Sequence, residues 1–184
     1  MPVSQADIEQ VRTWRNSEPV RSGMIRREEI TPAMQQDWFA AVSKDPGCAY
    51  YVIQVLDGDI PVGVVDMKKV DAIHGHGEWG IFLGETSHRG KGVAAEAACL
   101  LLHHAFGAWG LHKIKATLLA GNDTSVRFHE SIGFAAEGLL REEVHVEGRR
   151  QDIILGGLLA SDFYQTDKVR AVLEEAGRTL PDSH

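Results

Sequence analysis

Long apolar runs are missing from this chain: no uninterrupted hydrophobic stretch approaches the roughly 20 residues that a bilayer-spanning helix needs. The opening Met1-Pro-Val-Ser-Gln-Ala-Asp has neither a basic start nor an apolar stretch, which excludes a signal peptide of the usual form. Cysteine is scarce. Cys48 and Cys99 are alone in 184 residues, too few for a framework of bridges, so free thiols and a cytoplasmic location are expected. Positive charge is in deficit, with 19 Lys and Arg against 26 Asp and Glu for a formal −7, which disfavours nucleic acid and anionic membrane surfaces and favours small-molecule partners. His74/His76 and His103/His104 lack third and fourth ligands at a structural zinc spacing, so no metal is expected. No repeat or linker breaks the order, and the length suits one domain over 1–184.

What is present is one glycine-rich turn, Arg89-Gly-Lys-Gly-Val-Ala94, between the strand-like Gly80-Ile-Phe-Leu83 and an Ala/Leu-rich helix expected from Val93 to about Trp109. Gly90 and Gly92 carry no Cβ, so backbone N–H groups can approach a ligand, and the helix start offers unpaired amides and a positive dipole end. Such a turn is an anion site.

The rest of the chain supplies a mixed α/β architecture. Ile8, Val11 and Trp14 recur at helical spacing after Asp7, and Pro19 reads as a break. Thr31-Pro32 opens a second helix through Val42. Tyr50–Leu56 and Ile60–Met67 flank an Asp57-Gly58 turn and predict an antiparallel pair; a loop over 71–77 precedes a third strand, Glu78–Leu83. After the long helix, Lys113–Leu119 reads as a strand parallel to its predecessor, Asp123 or Thr124 caps a further helix, and Leu139–Val146 and Gln151–Leu159 form a hairpin. One last helix and a polar tail occupy 164–184.

Three phosphate-binding designs compete for the glycine turn. A Walker loop fails, because Gly84 and Gly90 enclose five residues and Gly92, rather than Ser or Thr, follows Lys91. The dinucleotide fingerprint fails too, since Glu85 to Arg89 separate strand from glycines and the first acidic residue after the next strand is Asp123, too late. The third fits: Arg89, Gly92 and Ala94 match in order the acetyl-CoA loop pattern Gln/Arg-x-x-Gly-x-Gly/Ala, and Asn122-x-x-Ser125 followed by Phe128-His-Glu-Ser-Ile-Gly-Phe134 matches a second motif of the same group. The chain therefore resembles the GNAT acetyltransferase superfamily from about Asp7 to Phe163. That resemblance implies the GNAT fold, a mixed central sheet that begins as an antiparallel meander and is locally parallel and splayed at the acetyl-CoA site, flanked by helices. It also implies acetyl-CoA as cosubstrate and acetyl transfer to an amine. Relatives begin with a strand ahead of the first helix; here only six residues precede Asp7, so that strand is short, missing or compensated by a partner chain in a homodimer.

Within the resemblance, Phe82 and Leu83 would polarise the acyl carbonyl through backbone N–H groups. Arg89, Gly90, Lys91, Gly92, Val93 and Ala94 would surround the pyrophosphate, and Asn122 and Ser125 would touch the pantetheine arm. For the base, alternation puts Glu78 on one strand face with Gly80 and Phe82; Asp66, ending the strand before, is its competitor. His129 stands where many relatives have a tyrosine that protonates the departing thiolate, and an imidazole can donate near neutral pH. In that role a positioned acid is worth about 10² to 10⁴ in rate, so its loss would lower kcat at least tenfold while barely changing the KM for acetyl-CoA.

The acceptor is read from 1–45, where Trp14-Arg15-Asn16 and Val20-Arg21 resemble the segment of enzymes that N-acetylate the 4-amino group of a UDP-linked sugar in pseudaminic acid synthesis. Trp14, Arg15, Asn16 and Arg21 are thus the expected acceptor residues, with arginines on a diphosphate and an aromatic on uracil. Protein N-terminal acetylation of the ribosomal-protein type and polyamine acetylation are the alternatives, and an acetyl-CoA-sensing module without transfer is the non-enzymatic one.

Overall fold

Apolar residues at helical spacing after Asp7 form the first element. In the computed structural model, which describes residues 1–180, α1 spans Ile8–Asn16 and buries Ile8, Val11 and Trp14. Asp7 precedes it without capping it, because its carboxylate accepts from the Ser4 backbone N–H and hydroxyl at 2.8 and 2.6 Å. Pro19, expected as a break, instead lies in a one-turn helix, α2 (Glu18–Arg21). At a helix start its missing N–H costs nothing. α3, Pro32–Val42, begins as the sequence predicts, with the Thr31 hydroxyl accepting from the Met34 N–H at 3.2 Å.

β1 (Ala49–Val55) and β2 (Ile60–Asp71) pair antiparallel with Tyr50 opposite Asp66, across a turn in which Gly58 takes φ +83°. Of the strand expected ahead of the first helix only a remnant exists. Pro2 bridges Tyr51, the Val3 N–H donates to Tyr50 O at 2.9 Å, and the Val52 N–H donates to Met1 O at 2.7 Å. β2 and β3 (His76–Leu83) run longer than expected, which shrinks the loop at 71–77 to a turn at 72–75.

α4 spans Val93–Gly107. It buries Ala95, Ala98, Cys99, Leu101, Leu102, Ala105 and Phe106, while Glu96 and His104 are exposed, so it is one-faced rather than buried all round as its composition suggests. β4 (Lys113–Leu119), α5 (Asp123–Ser131), β5 (Ala135–Val146) and β6 (Arg149–Leu159) follow. The expected last helix is two, α6 (Ala160–Gln165) and α7 (Asp167–Glu175). The end of the polar tail, 181–184, lies outside the described residues.

The strands form one mixed six-stranded sheet in the order β1-β2-β3-β4-β6-β5. Chain contacts cluster in two units, Met1–Val70 with Glu78–Ala94, and Asp71–Gly77 with the chain from Ala95 onward. In the first, Val11, Trp14 and Val64 form a buried cluster against which Tyr50 and Phe82 pack, so α1 covers the sheet face that carries Tyr50, Val64 and Phe82. In the second, β6 pairs antiparallel with β4 and with β5, and the β5 register shifts twice, between Ala136 and Gly138 and between Leu140 and Val144. Among the described residues no helix is long and apolar enough to cross a membrane, and no group of three or more His, Cys, Asp or Glu is placed to hold a metal ion.

Candidate functional site

Two sets of the sequence-predicted residues are each brought together, one in each unit. The first is the glycine turn. β3 ends at Leu83, a 3-10 turn covers Thr86–His88, and Val93 and Ala94 open α4. Gly90 and Gly92 sit at φ +73° and +84°, in the left-handed region that side chains disfavour, and nothing lies within 4 Å of where a Cβ would stand on either. Open backbone with a helix start behind it fits a phosphate-bearing ligand. Lys91 is exposed beside it. Arg89 is spent differently from the expectation: its guanidinium donates to Leu83 O and Pro19 O, both at 3.0 Å, and so braces the turn from behind.

Gly84, just past β3, is a packing necessity. A Cβ there would overlap the Trp14 indole, whose Nε1 donates to Glu85 Oε1 at 2.8 Å. Trp14 is 4% exposed, so core packing accounts for it, and it presents no face for a uracil to stack on. Asn16 is likewise committed, donating to Ile30 O at 2.9 Å and accepting from the Ile30 N–H at 2.8 Å. Arg21 lies at the surface within 3.7 Å of Glu18. Trp14 and Asn16 thus carry structural duties in place of the acceptor role expected of them, whereas Arg21 faces solvent. Arg15 points elsewhere. Its guanidinium carbon stands 5.9 Å from the centre of the Phe82 ring, its Nε is buried with no hydrogen-bond partner, and burial, partly offset by Asp66, lowers its proton affinity.

Arg15 belongs to an ionic cluster on the first unit. Asp66 is 8% exposed, and burial raises its proton affinity above the ordinary carboxylate range, against the opposing pull of Lys68 and Arg15. Lys68 Nζ lies 3.0 Å from Asp66 Oδ1 and 3.9 Å from Glu78 Oε1, while Lys69 Nζ takes Glu78 Oε2 at 2.7 Å. Tyr50, opposite Asp66 in register, is pushed up to about 12, by burial first and then by the Asp66 charge. Trp38 stands edge-on to Tyr50 at 5.0 Å between centroids. Both candidate bases, Asp66 and Glu78, thus meet the Lys68 ammonium in one ionic cluster, with Arg15 and Tyr50 close to Asp66.

Sequence reasoning missed Lys68 and Tyr50. The signal was present: Asp66 and Lys68 are two apart on a strand and share a face, as do Glu78 and Gly80. A Cβ on Gly80 would stand 2.7 Å from Asp66 Oδ2 and 3.2 Å from Lys68 Nζ, so this glycine makes room for the ion pair.

The second set lies on α5. Asn122, not Asp123 or Thr124, caps this helix, its side chain accepting from the Ser125 N–H at 3.1 Å. His129, 6% exposed, has Nδ1 at 2.7 Å from Ser125 O, and its ring meets Phe128 and Phe134 edge-on. A carbonyl accepts only, so Nδ1 carries the proton. Burial holds the ring below its ordinary value, and at neutral pH it is uncharged. That is unfavourable for the thiolate-protonating role expected of it. A pH test follows. The unfolded chain takes the His129 proton first, so stability holds above about pH 6.5 and falls as the pH drops below it. His129→Gln removes the titration, so the gap in unfolding midpoint between wild type and variant should narrow from pH 7 to pH 5. A gap of constant width would show that the ring is not held neutral.

Comparison with known proteins places these features. The acetyltransferase (GNAT) domain family matches residues 1–135, and the chain belongs to that family. Among curated proteins it is 32% identical over 113 residues to an uncharacterized N-acetyltransferase, p20, of Bacillus licheniformis (61% of this chain, 63% of that protein). It is 34% identical over 102 residues to a spermidine N(1)-acetyltransferase of Vibrio cholerae (55% and 58%). The matches thus span less than two thirds of these two relatives. In fold it resembles the crystal structure of a V. cholerae spermidine N-acetyltransferase in complex with CoA and spermine, with a TM-score of 0.81 at 24% identity over 89% of this chain and 95% of that one.

Proposed function

We propose that this chain is an acetyl-CoA-dependent N-acetyltransferase whose acceptor is a primary amine of a small polycation of the spermidine class. The observation that carries the reading is an ammonium, that of Lys68, held between the Asp66 and Glu78 carboxylates. A seat built for one alkylammonium suits another. Relatives named for spermidine acetylation support the same acceptor class. The glycine turn from Gly90 to Ala94 is the proposed seat of the CoA phosphates.

The reaction asks two things of the chain. An alkylammonium must lose a proton before its nitrogen can bond to the acyl carbon, and Asp66, whose burial favours its protonated form, is the proposed base. Glu78, held by Lys69 at 2.7 Å, adds a second carboxylate beside the Lys68 ammonium. As the C–S bond breaks, the second nitrogen proton goes to the departing sulfur, so ammonium and thioester become amide, thiol and one released proton.

The acceptor proposed from the sequence, a UDP-linked 4-amino sugar, keeps one observation in its favour: the Arg15 Nε, buried without a hydrogen-bond partner, close to the same ionic cluster. Mass spectrometry with acetyl-CoA and a panel of spermidine, a UDP-linked 4-amino sugar and ribosomal-protein N-terminal peptides separates the readings. Acetylspermidine is the expected product. Acetylation of the sugar alone would transfer the assignment to it, and CoA binding with no acetylated product would leave a sensor.

A further inference from the structure

Lys68 carries an inference beyond this reaction class, although it rests on the amine-acetylating reading. Asp66 is the carboxylate of the cluster most in need of a cation, being 12% exposed against 20% for Glu78, because burying an ionised carboxylate is costly without one. Arg15 contributes charge nearby without hydrogen bonding to it, so the cation hydrogen-bonded to Asp66 is Lys68, at 3.0 Å. The Lys68 side chain retains 29% exposure against 12% for Asp66, and its flexible four-carbon stem lets the ammonium leave for solvent with little change elsewhere. Gly80 has no Cβ where one would stand 2.7 Å from Asp66 Oδ2 and 3.2 Å from Lys68 Nζ, so the local backbone makes room for the ion pair at this point.

We propose that Lys68 is a specificity-determining residue that trades places with the acceptor. Its ammonium occupies the seat between Asp66 and Glu78 in the free protein, yields it to an incoming alkylammonium, and takes it back when acetylation has made the acceptor nitrogen neutral. The charge balance drives both exchanges. An acceptor ammonium replaces Lys68 one for one, and Lys68 solvates in water. During transfer Asp66 accepts one nitrogen proton and the departing sulfur the other. The amide that results carries no charge at the nitrogen and cannot hold an ionised Asp66. Asp66 releases its proton to water as Lys68 returns, and the amide is displaced. A neutral amide or alcohol, by the same account, cannot enter against Lys68.

The test is binding without turnover, with n-butylammonium as the probe and no acetyl-CoA present. It is run at about pH 8.5, where an alkylammonium keeps its charge and Asp66 is driven toward ionisation. Lys68→Met keeps the stem and removes the internal competitor, so calorimetry should show the Kd for n-butylammonium falling about fivefold or more. Lys68→Arg, which keeps the charge, should bind no more tightly than wild type. Equal or weaker binding by a folded Lys68→Met protein overturns the proposal, as does failure of the probe to bind either form. Should Lys68→Met not fold, wild-type protein with 13Cε-labelled lysine decides instead. The Lys68 signal must move toward the exposed-lysine position on adding n-butylammonium chloride but not sodium chloride, and an unmoved signal overturns the proposal. Acetylation with an unchanged Kd defeats the exchange alone. Tighter binding by Lys68→Met with no amine ever acetylated supports the exchange and defeats only the enzymatic reading.

Discussion

Gly84→Ala should lose about 3 kcal/mol of stability or more, the upper range for forcing atoms into a packed core. The added methyl meets the Trp14 indole, not the end of a flexible chain. Trp14 cannot step aside cheaply, because its Nε1 is bonded to Glu85 and its ring is packed with Val11 and Val64. Nor can the backbone, since the Gly84 and Glu85 N–H groups both donate to Val62 O, at 2.9 and 3.1 Å. For a chain of this size that loss corresponds to a fall in unfolding midpoint of about 6–12 °C. Gly107→Ala is the matched control: it lies in α4 with nothing within 4 Å of the added Cβ, and it should be neutral or slightly stabilising. Thermal and urea unfolding of the two variants read this directly. Equal effects would mean that Trp14 does not pack as described.

Asp66→Asn should cost about 10² or more in kcat while leaving stability unchanged or improved. The two halves have one cause. Burial raises the proton affinity of Asp66 in the folded chain above that of the unfolded one, so its contribution to stability is full at acid pH and erodes as the pH rises through the folded value. At neutral pH an ionised Asp66 is a burden that the amide of asparagine removes, and Lys68, partly exposed, is not left buried without a partner. Asparagine keeps the shape and cannot take a proton. Glu78→Gln should be milder, under about tenfold, because that carboxylate is already engaged by the exposed Lys69. A larger loss of kcat in Glu78→Gln than in Asp66→Asn would reverse the assignment of the base; a large loss of stability in Asp66→Asn would remove its physical ground.

Much of this architecture was legible in the residues. Helical spacing of Ile8, Val11 and Trp14, the Thr31-Pro32 start, the Asp57-Gly58 turn and the strand over 113–119 are local signals, and each element forms where its signal lies. The glycine turn was legible because a backbone conformation open to a ligand demands glycine at particular positions. Side-chain duties were not. Trp14 reads the same whether it stacks on a ligand or fills a core, and only the missing Cβ of Gly84, seventy residues away, distinguishes them. Asn16 is explained by Ile30, again a partner that spacing does not announce. Strand alternation placed Glu78 and Gly80 on one face, yet it could not say that Lys68 would lie between two carboxylates, because that depends on the registry of neighbouring strands. The proposed acceptor seat was the least legible part for that reason: its charges converge from α1, β2 and β3.

The twice-shifted register of β5 bears on the chain's behaviour in concentrated solution. β5 is the last strand of the sheet, and among the described residues one border of it faces no partner strand. Straight borders of that kind recruit copies of themselves and grow into fibres. Here each shift in register bends the row of unpaired amides, and Arg141, Glu142 and Glu143 put charge on the stretch between Leu140 and Val144 where the second shift falls. A border so broken is a poor template for stacking, even though Leu139 and Leu140 are exposed along it.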